Sequence, residues 1–447
     1  MTLSRRHLLA GSAAATAVFA TPLSATLAFA QGLNAEQFGV RANATEDQSR
    51  ALQRAIDTAA RAQRPLWLKP GTYRAGDLHL RAGSRITGVR GDTRLVLTQG
   101  PALFSAQGVD AVSLTNLTLD GSNRPLDANG GLINFMIARD LQVIDCTITA
   151  ANGTGIALFR CSGKISGNRI TGSSDNAIFS NDSKLAINAN RIAKSGNGGI
   201  RVWRSVKQTD GSVIAGNTIE DTQARAGGDG QNGNAINIYR AAEVTVRDNN
   251  IRRAAFSAIR GNAASRIKML DNFCYELEEV AIYSEFDFED ATIEGNLVDV
   301  AALGIAVTNM DKGGHGAVVR NNTIRNIVNK RPQGGPDSHG VGIGVEADTE
   351  VVGNTIENAP VMGIEVGSGK YLRNVTVTGN TVSQTGIGIG VTVVEGAGSA
   401  AITNNNITGA RNGAIVGMHW DKAATGDLSQ SGASKFPHLK ISGNRVS

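Results

Sequence analysis

One short phrase returns along most of the chain: a turn residue, an asparagine, a spacer, then a β-branched residue. It reads Gly167-Asn168-Arg169-Ile170, Gly216-Asn217-Thr218-Ile219, Asn321-Asn322-Thr323-Ile324, Gly353-Asn354-Thr355-Ile356 and Gly379-Asn380-Thr381-Val382. Looser copies centre on Asn190, Asn249, Asn272, Asn296, Asn405 and Asn444. The asparagines stand roughly 22 to 39 residues apart, the period of a solenoid whose repeats bury their apolar faces only against one another. A companion phrase travels with it, as in Gly155-Ile156-Ala157-Leu158, Gly199-Ile200-Arg201-Val202, Gly304-Ile305-Ala306-Val307, Gly342-Ile343-Gly344-Val345 and Gly363-Ile364-Glu365-Val366. A short alternating stretch such as Ala242-Glu243-Val244-Thr245-Val246 separates the two. One coil therefore holds about three short strands, with Ile and Val at one parity filling the interior. With Leu117 and Cys146 in the matching place, the eleven asparagines imply about thirteen coils and a rod near 60 Å long, at about 4.8 Å per coil.

Stacked at a tight bend, each asparagine amide can bond the amides of the coils above and below. Asparagine also tolerates the left-handed backbone that such a bend needs. The asparagines are thus expected to hold the coils in register rather than to do chemistry. Fifty-four glycines suit short strands joined by tight turns, while the recurring Ile, Val, Leu and Ala exclude disorder. The net charge of +5 falls to +3 once Arg5 and Arg6 are set aside with the first thirty residues. No basic stripe interleaved with aromatics appears, so a nucleic-acid partner is not expected.

Those thirty residues read as a leader. Ser4-Arg5-Arg6-His7-Leu8-Leu9 opens an alanine-rich apolar run ending in Ala28-Phe29-Ala30, an A-x-A cleavage signal. Paired arginines before a mildly hydrophobic run mark a twin-arginine signal, which passes folded proteins to its translocase. Residues 1–30 are therefore expected to be removed, leaving no permanent membrane anchor in a periplasmic or secreted protein. Cys146, Cys161 and Cys274 fit neither a disulfide framework nor a metal spacing. Cys146 and Cys274 fall at inward repeat positions and read as small core residues.

Residues 31–100 form a cap and the first coils, and residues 101–447 the regular repeats. Thr45-Glu46-Asp47-Gln48 reads as a capping box before a helix whose buried face is Leu52, Ala55, Ile56 and Ala59. Phe38-Gly39-Val40 and the turn Lys69-Pro70-Gly71-Thr72-Tyr73 flank it. This opening resembles that of pectate-lyase-superfamily proteins, in which a helix caps the open end of a right-handed parallel β-helix. The whole chain, with its twin-arginine leader and Gly198-Gly199-Ile200-Arg201-Val202-Trp203-Arg204, resembles the twin-arginine-translocated β-helix repeat proteins. The resemblance implies an all-β right-handed parallel β-helix, folded export, and, as proposed for that family, a cofactor loaded before export. No dinucleotide, haem or metal-ligand motif here names one.

A β-helix hides its inward residues, so function falls to outward residues and long turns. In the superfamily the Gly-Ile-x-Val strand floors the substrate groove. Its outward residues run Ala157; Phe179; Arg201 and Trp203; Asn237 and Tyr239; Arg260 and Asn262; Tyr283 and Glu285; Ala306 and Thr308; Gly344 and Glu346; Glu365. Between Arg201 and Asp287, arginines, aromatics and carboxylates gather, with Arg204 and Arg240 at strand ends. Arginine forks hold carboxylates and aromatic faces cover sugar rings, which suits an acidic polysaccharide. Arg201, Trp203, Asn237, Tyr239, Arg240, Arg260 and Asn262 are the expected substrate contacts. Loops Glu220–Gly233, Asn326–Gly340 and His419–His438 would wall the groove.

For chemistry, Tyr283, Glu285, His315 and His339 are the expected proton carriers. Alternation would put Glu285, Asp287 and Glu289 on one side, where oxygen ligands suit calcium. Gly314-His315-Gly316 and Arg266-Ile267-Lys268 stand in the wrong order for a polygalacturonase. β-Elimination or C5-epimerisation of a uronan is therefore favoured over hydrolysis. The alternatives are a non-catalytic carbohydrate-binding or surface scaffold, and a cofactor carrier.

Overall fold

The structure, a computed structural model, describes residues 32–228, 230–309, 313–330 and 339–447. The leader with its arginine pair, and most of the loop 326–340, lie outside the described residues. What is described is a right-handed parallel β-helix of about thirteen turns, with one α-helix at its N-terminal end.

A sixteen-stranded parallel sheet runs the length of the rod, from Leu33–Asn34 to Leu439–Ser442. The other two strands of each coil join into one 28-stranded system. They fuse because Phe273–Glu285 and Leu297–Thr308 run through the bend that breaks the strand in other coils. Ile156, Ile178, Ile200, Ile236, Ile259, Ile282, Ile305, Ile343, Ile364 and Ile389 follow one another in register, all fully buried. One continuous apolar core therefore extends from cap to C-terminus. Cys146, Cys161 and Cys274 are free and buried in it, and burial pushes the Cys146 and Cys274 thiols up to about 12.

The asparagine ladder is complete from Asn168 to Asn444. Asn190 shows the unit: its amide nitrogen donates to Asn217 Oδ1 at 3.0 Å and to the Ile165 carbonyl at 3.0 Å, while its own backbone N–H also reaches Asn217 Oδ1. The same three bonds recur at Asn217, Asn249, Asn272, Asn296, Asn322, Asn354 and Asn380. The backbone role differs from the expectation. The left-handed residue is the one before each ladder asparagine: Gly167, Ala189, Gly216, Asp248, Asp271, Gly295, Asn321, Gly353, Gly379, Asn404 and Gly443 all have positive φ, as does Asp145 before Cys146. The turn residue takes the strained conformation, and the asparagine is left free to bond.

The cap helix spans Ser49–Arg61 and buries Leu52, Ala55, Ile56, Ala59 and Ala60, the expected face. Its start departs from a capping box. Asp47 Oδ1 accepts from the Ser49 N–H at 3.0 Å, while Gln48 is buried and bonded to both backbone groups of Arg41. At the far end, Ile415–His419 and Lys422–Asp427 form an antiparallel hairpin that covers the last floor strands. Among the described residues, no helix is long and apolar enough to cross a membrane.

Ladder position sets the cost of cutting it. Asn296→Ala strips partners from Asn272 and from the Met269 carbonyl, all buried, and should cost about 2–4 kcal/mol. Asn444→Ala, in the exposed last coil, removes the equivalent bonds where water can replace them. Thermal unfolding should therefore show a clearly larger loss for Asn296→Ala than for Asn444→Ala.

Candidate functional site

The outward row is real and in register. From the cap it runs His79, Ser105, Asn134, Ala157, Phe179, Arg201, Asn237, Arg260, Tyr283, Ala306, Gly344, Glu365 and Gly390. Two residues further along each strand, a second row carries Gln107, Met136, Phe159, Asn181, Trp203, Tyr239, Asn262, Glu285 and Thr308. The expected contacts thus share one face, but their partners divide them into two groups.

The middle of the strip is tied to itself. Arg260 forks onto Glu285, with Nε to Oε1 at 2.7 Å and a terminal nitrogen to Oε2 at 2.8 Å, and Asn262 donates to Glu285 Oε1 at 2.6 Å. Burial works against the Arg260 charge, but the Glu285 carboxylate outweighs it and holds the guanidinium above its ordinary range. Glu285 is 1% exposed in its side chain, so it is a neutralised structural carboxylate rather than a free proton carrier. Arg204 is held likewise by buried Asp210 at 2.7 Å. Loop Glu220–Gly233 forms the expected wall: the Gly230 carbonyl accepts from Asn237, and Asn232 Oδ1 accepts from Arg201 at 2.5 Å. Tyr239 and exposed Arg240 stack on each other at the strand end.

The expected calcium trio is not assembled. Phe286, at φ 63, turns the chain out of the strand immediately after Glu285 and ends the alternation. Glu285 faces Arg260, Asp287 faces Lys207 at 3.1 Å, and Glu289 faces Arg266 at 3.7 Å. Among the described residues, no three His, Cys, Asp or Glu side chains gather to hold a metal. The histidines lie at opposite ends of the floor strands. His315 is exposed on the exit turn with Nδ1 2.9 Å from its own Gly313 carbonyl, and His339 is half-buried on an entry turn. Tyr283 sits against Arg260 with its phenol pushed up, chiefly by burial.

Arg201 is different. It is 8% exposed, its Nε has no partner among the described residues, and no carboxylate pairs with it there. Burial pulls its guanidinium down from the usual range, and the nearby Asp175 charge partly restores it. It opens into a cleft of about 860 Å³ on its N-terminal side, lined by Asp127, Phe159, Asp175, Phe179, Asn181 and Trp203. Trp203 is clamped by its indole N–H to Asn237 Oδ1 at 2.8 Å and meets Phe179 edge to face at 5.5 Å. Asp175 is fixed by Thr154, Asn176 and Asn197.

Sequence reasoning placed Arg201 and Trp203 at the start of the site, whereas they stand at the C-terminal edge of this cleft. Asp127 and Asp175 were missed because they lie on the turns before the floor strands, outside the alternating pattern. Glu365 was on the row but not singled out. Its carboxyl is pushed up by burial and then by Glu346, whose Oε2 accepts from the Asn309 backbone N–H.

Among solved structures, similar folds include the catalytic unit of an α-1,3-glucanase from Streptomyces thermodiastaticus, at 16% identity, covering 93% of this chain and 68% of that one, with a TM-score of 0.51. The A-module of a mannuronan C-5 epimerase from Azotobacter vinelandii matches at 15% identity over 93% of this chain and 99% of that one, TM-score 0.45. A surface adhesin of Streptococcus pneumoniae matches at 16% identity over 88% and 93%, TM-score 0.41. No curated protein matches the chain. A family model described as periplasmic copper-binding protein (NosD) matches residues 105–228 and 221–430. The chain therefore belongs to the NosD family of periplasmic proteins.

Proposed function

We propose that this protein is exported by the twin-arginine route and binds an acidic polysaccharide along its groove floor, with Arg201 receiving a uronate carboxylate. The observation that carries this is a buried guanidinium with an unpartnered Nε, facing an aromatic-lined cleft. A desolvated cation with no carboxylate partner gains most from an incoming anion, because burial has already removed its water. Phe159, Phe179 and Trp203 offer apolar faces to the sugar rings beside it.

Modification of the bound uronate follows from the same cleft. Abstraction of the proton next to a uronate carboxylate needs a cation to stabilise the enolate and a base at the ring. Arg201 supplies the cation; Asp175, whose charge acts on it, and Asp127 are the carboxylates lining the same cleft. Further along the floor burial raises the pKa of Tyr283 and of Glu365 and so favours their proton-donating forms, with His315 and His339 on the flanking turns as partners in proton transfer. The family description names copper. The three cysteines lie buried singly, Cys146 and Cys161 each donating to backbone carbonyls, and no metal-holding group of His, Cys, Asp or Glu exists among the described residues. That donor set does not fit copper, and no step is assigned to it.

Arg201→Ala should weaken binding to polyuronates by about tenfold or more in calorimetry, while neutral glucans bind no differently. Equal polyuronate affinity in the variant would sink the reading. Asp175→Asn should abolish any new absorbance near 230 nm, the mark of unsaturated chain ends, without abolishing binding. Glu365 supplies a pH test of its burial. Its folded pKa is raised, so stability is full below the ordinary glutamate value and falls as pH rises through the raised one. Glu365→Gln should therefore melt higher than the parent at neutral pH and level with it near pH 4.

A further inference from the structure

The floor continues past the acidic cleft toward the cap, where its outward positions are His79, Ser105 and Asn134 on successive coils. Ser105 Oγ lies 2.6 Å from His79 Nδ1, and His79 Nε2 lies 3.5 Å from Asp77 Oδ1. Hydroxyl, imidazole and carboxylate thus form a chain. When the hydroxyl donates to Nδ1, the imidazole proton sits on Nε2 and faces Asp77. A carboxylate there holds that tautomer and stabilises the imidazolium formed when the hydroxyl gives up its proton.

Neither polymer binding nor core packing explains the arrangement. His79 and Asp77 are exposed and Ser105 is half-buried, so the group contributes little to the interior. Its backbone is nevertheless fixed: the cap helix sends Gln53 to bond both the N–H and the carbonyl of His79, at 2.8 and 2.9 Å. Over it opens a cavity of about 820 Å³, bounded by Met136, Ala82 and the Asp57–Arg81 pair. Asn134, one coil beyond Ser105 in the same row, presents a side-chain amide to the same space.

We propose that Ser105 is the nucleophile of an esterase site at the cap end of the groove. His79 is its general base, Asp77 the positioning residue for the imidazole, and the Asn134 amide the donor to the developing oxyanion. Ser105 Oγ attacks the ester carbonyl carbon as its proton passes to His79 Nδ1. The tetrahedral intermediate collapses, the carbon–oxygen bond to the alcohol breaks, and the departing oxygen takes the proton from His79. Water, deprotonated by the same imidazole, then attacks the acyl-serine; the acyl carbon–Ser105 Oγ bond breaks as that oxygen takes the proton back from His79, and the carboxylic acid leaves. The net reaction is ester plus water to acid plus alcohol, with no other co-reactant.

The substrate class is a short O-acyl ester, such as acetyl, displayed on a sugar. An open cavity beside a polymer groove admits a substituent of a chain rather than a free lipid. The choice of a sugar carrier rests on the polysaccharide reading, but the ester chemistry does not.

The test uses the full chain with 4-nitrophenyl acetate and a fluorophosphonate probe, neither of which carries a sugar. Failure of polyuronate binding would therefore leave its outcome intact. The expected result is phosphonylation at Ser105, found by peptide mass spectrometry, and ester turnover that falls about 100-fold or more in Ser105→Ala. Asp77→Asn should slow labelling, and Asp77→Glu should restore part of it, since the imidazole needs a carboxylate to hold the tautomer that takes the hydroxyl proton. Ser105→Ala replaces a half-exposed side chain, and an unchanged melting curve would confirm its fold. An unlabelled Ser105, or wild-type turnover in a folded Ser105→Ala protein, would overturn the proposal.

Discussion

The amide-to-amide bond between successive ladder asparagines is the interaction on which the rest of the molecule depends. Each coil is too small to bury its own apolar residues, so stability comes only from exact superposition on its neighbours. Isoleucine stacks alone resist a one-residue slip because it would turn the interior outward. They resist a sideways drift of the bend less well. The asparagine supplies that restraint, since its carbonyl and amide reach the coils on both sides while another backbone carbonyl behind it is satisfied. Once the bend is fixed, the outward face of the companion strand becomes a ruled surface on which side chains stand about 4.8 Å apart.

Two kinds of site follow from that ruled surface. Where opposite charges fall on adjacent coils they find each other, as Arg260 and Glu285 do, and the surface closes on itself. Where a charge stands beside small or aromatic neighbours it stays available. Arg201 is bordered on its N-terminal side by Phe179 and Ala157, which cannot pair with it, and the cleft opens there. Which charge stays available on a β-helix floor is thus decided by the rungs beside it more than by how polar its own rung is.

The same distinction explains what the sequence made legible. The coil count, the apolar interior, the outward rows and the cap helix all follow from period and parity, which are local. The left-handed positions were assigned one residue late, because the asparagine is the conspicuous letter and the residue before it varies among Gly, Asp, Asn and Ala. The candidate site was drawn where charged residues were densest. Density along the chain does not reveal that Arg260 and Glu285 neutralise one another with Asn262 bonded to the carboxylate, nor that Phe286 turns Asp287 away. Asp127 and Asp175 were invisible to strand parity because turns obey none, and the Asp77–His79–Ser105 chain joins two coils whose contact only the register shows.

The strands Phe273–Glu285 and Leu297–Thr308 pass through the bend where other coils carry a turn before the floor. In those two coils no loop is inserted at that corner; the first passes it with a register shift between Leu277 and Val280, so the bank there is low. If the floor binds a polymer as proposed, a low bank lets the chain be laid in sideways rather than threaded from an end. The segment tied up by Arg260 and Glu285 would then be the sill of a lateral doorway, with Arg201, which has no carboxylate partner among the described residues, further toward the cap.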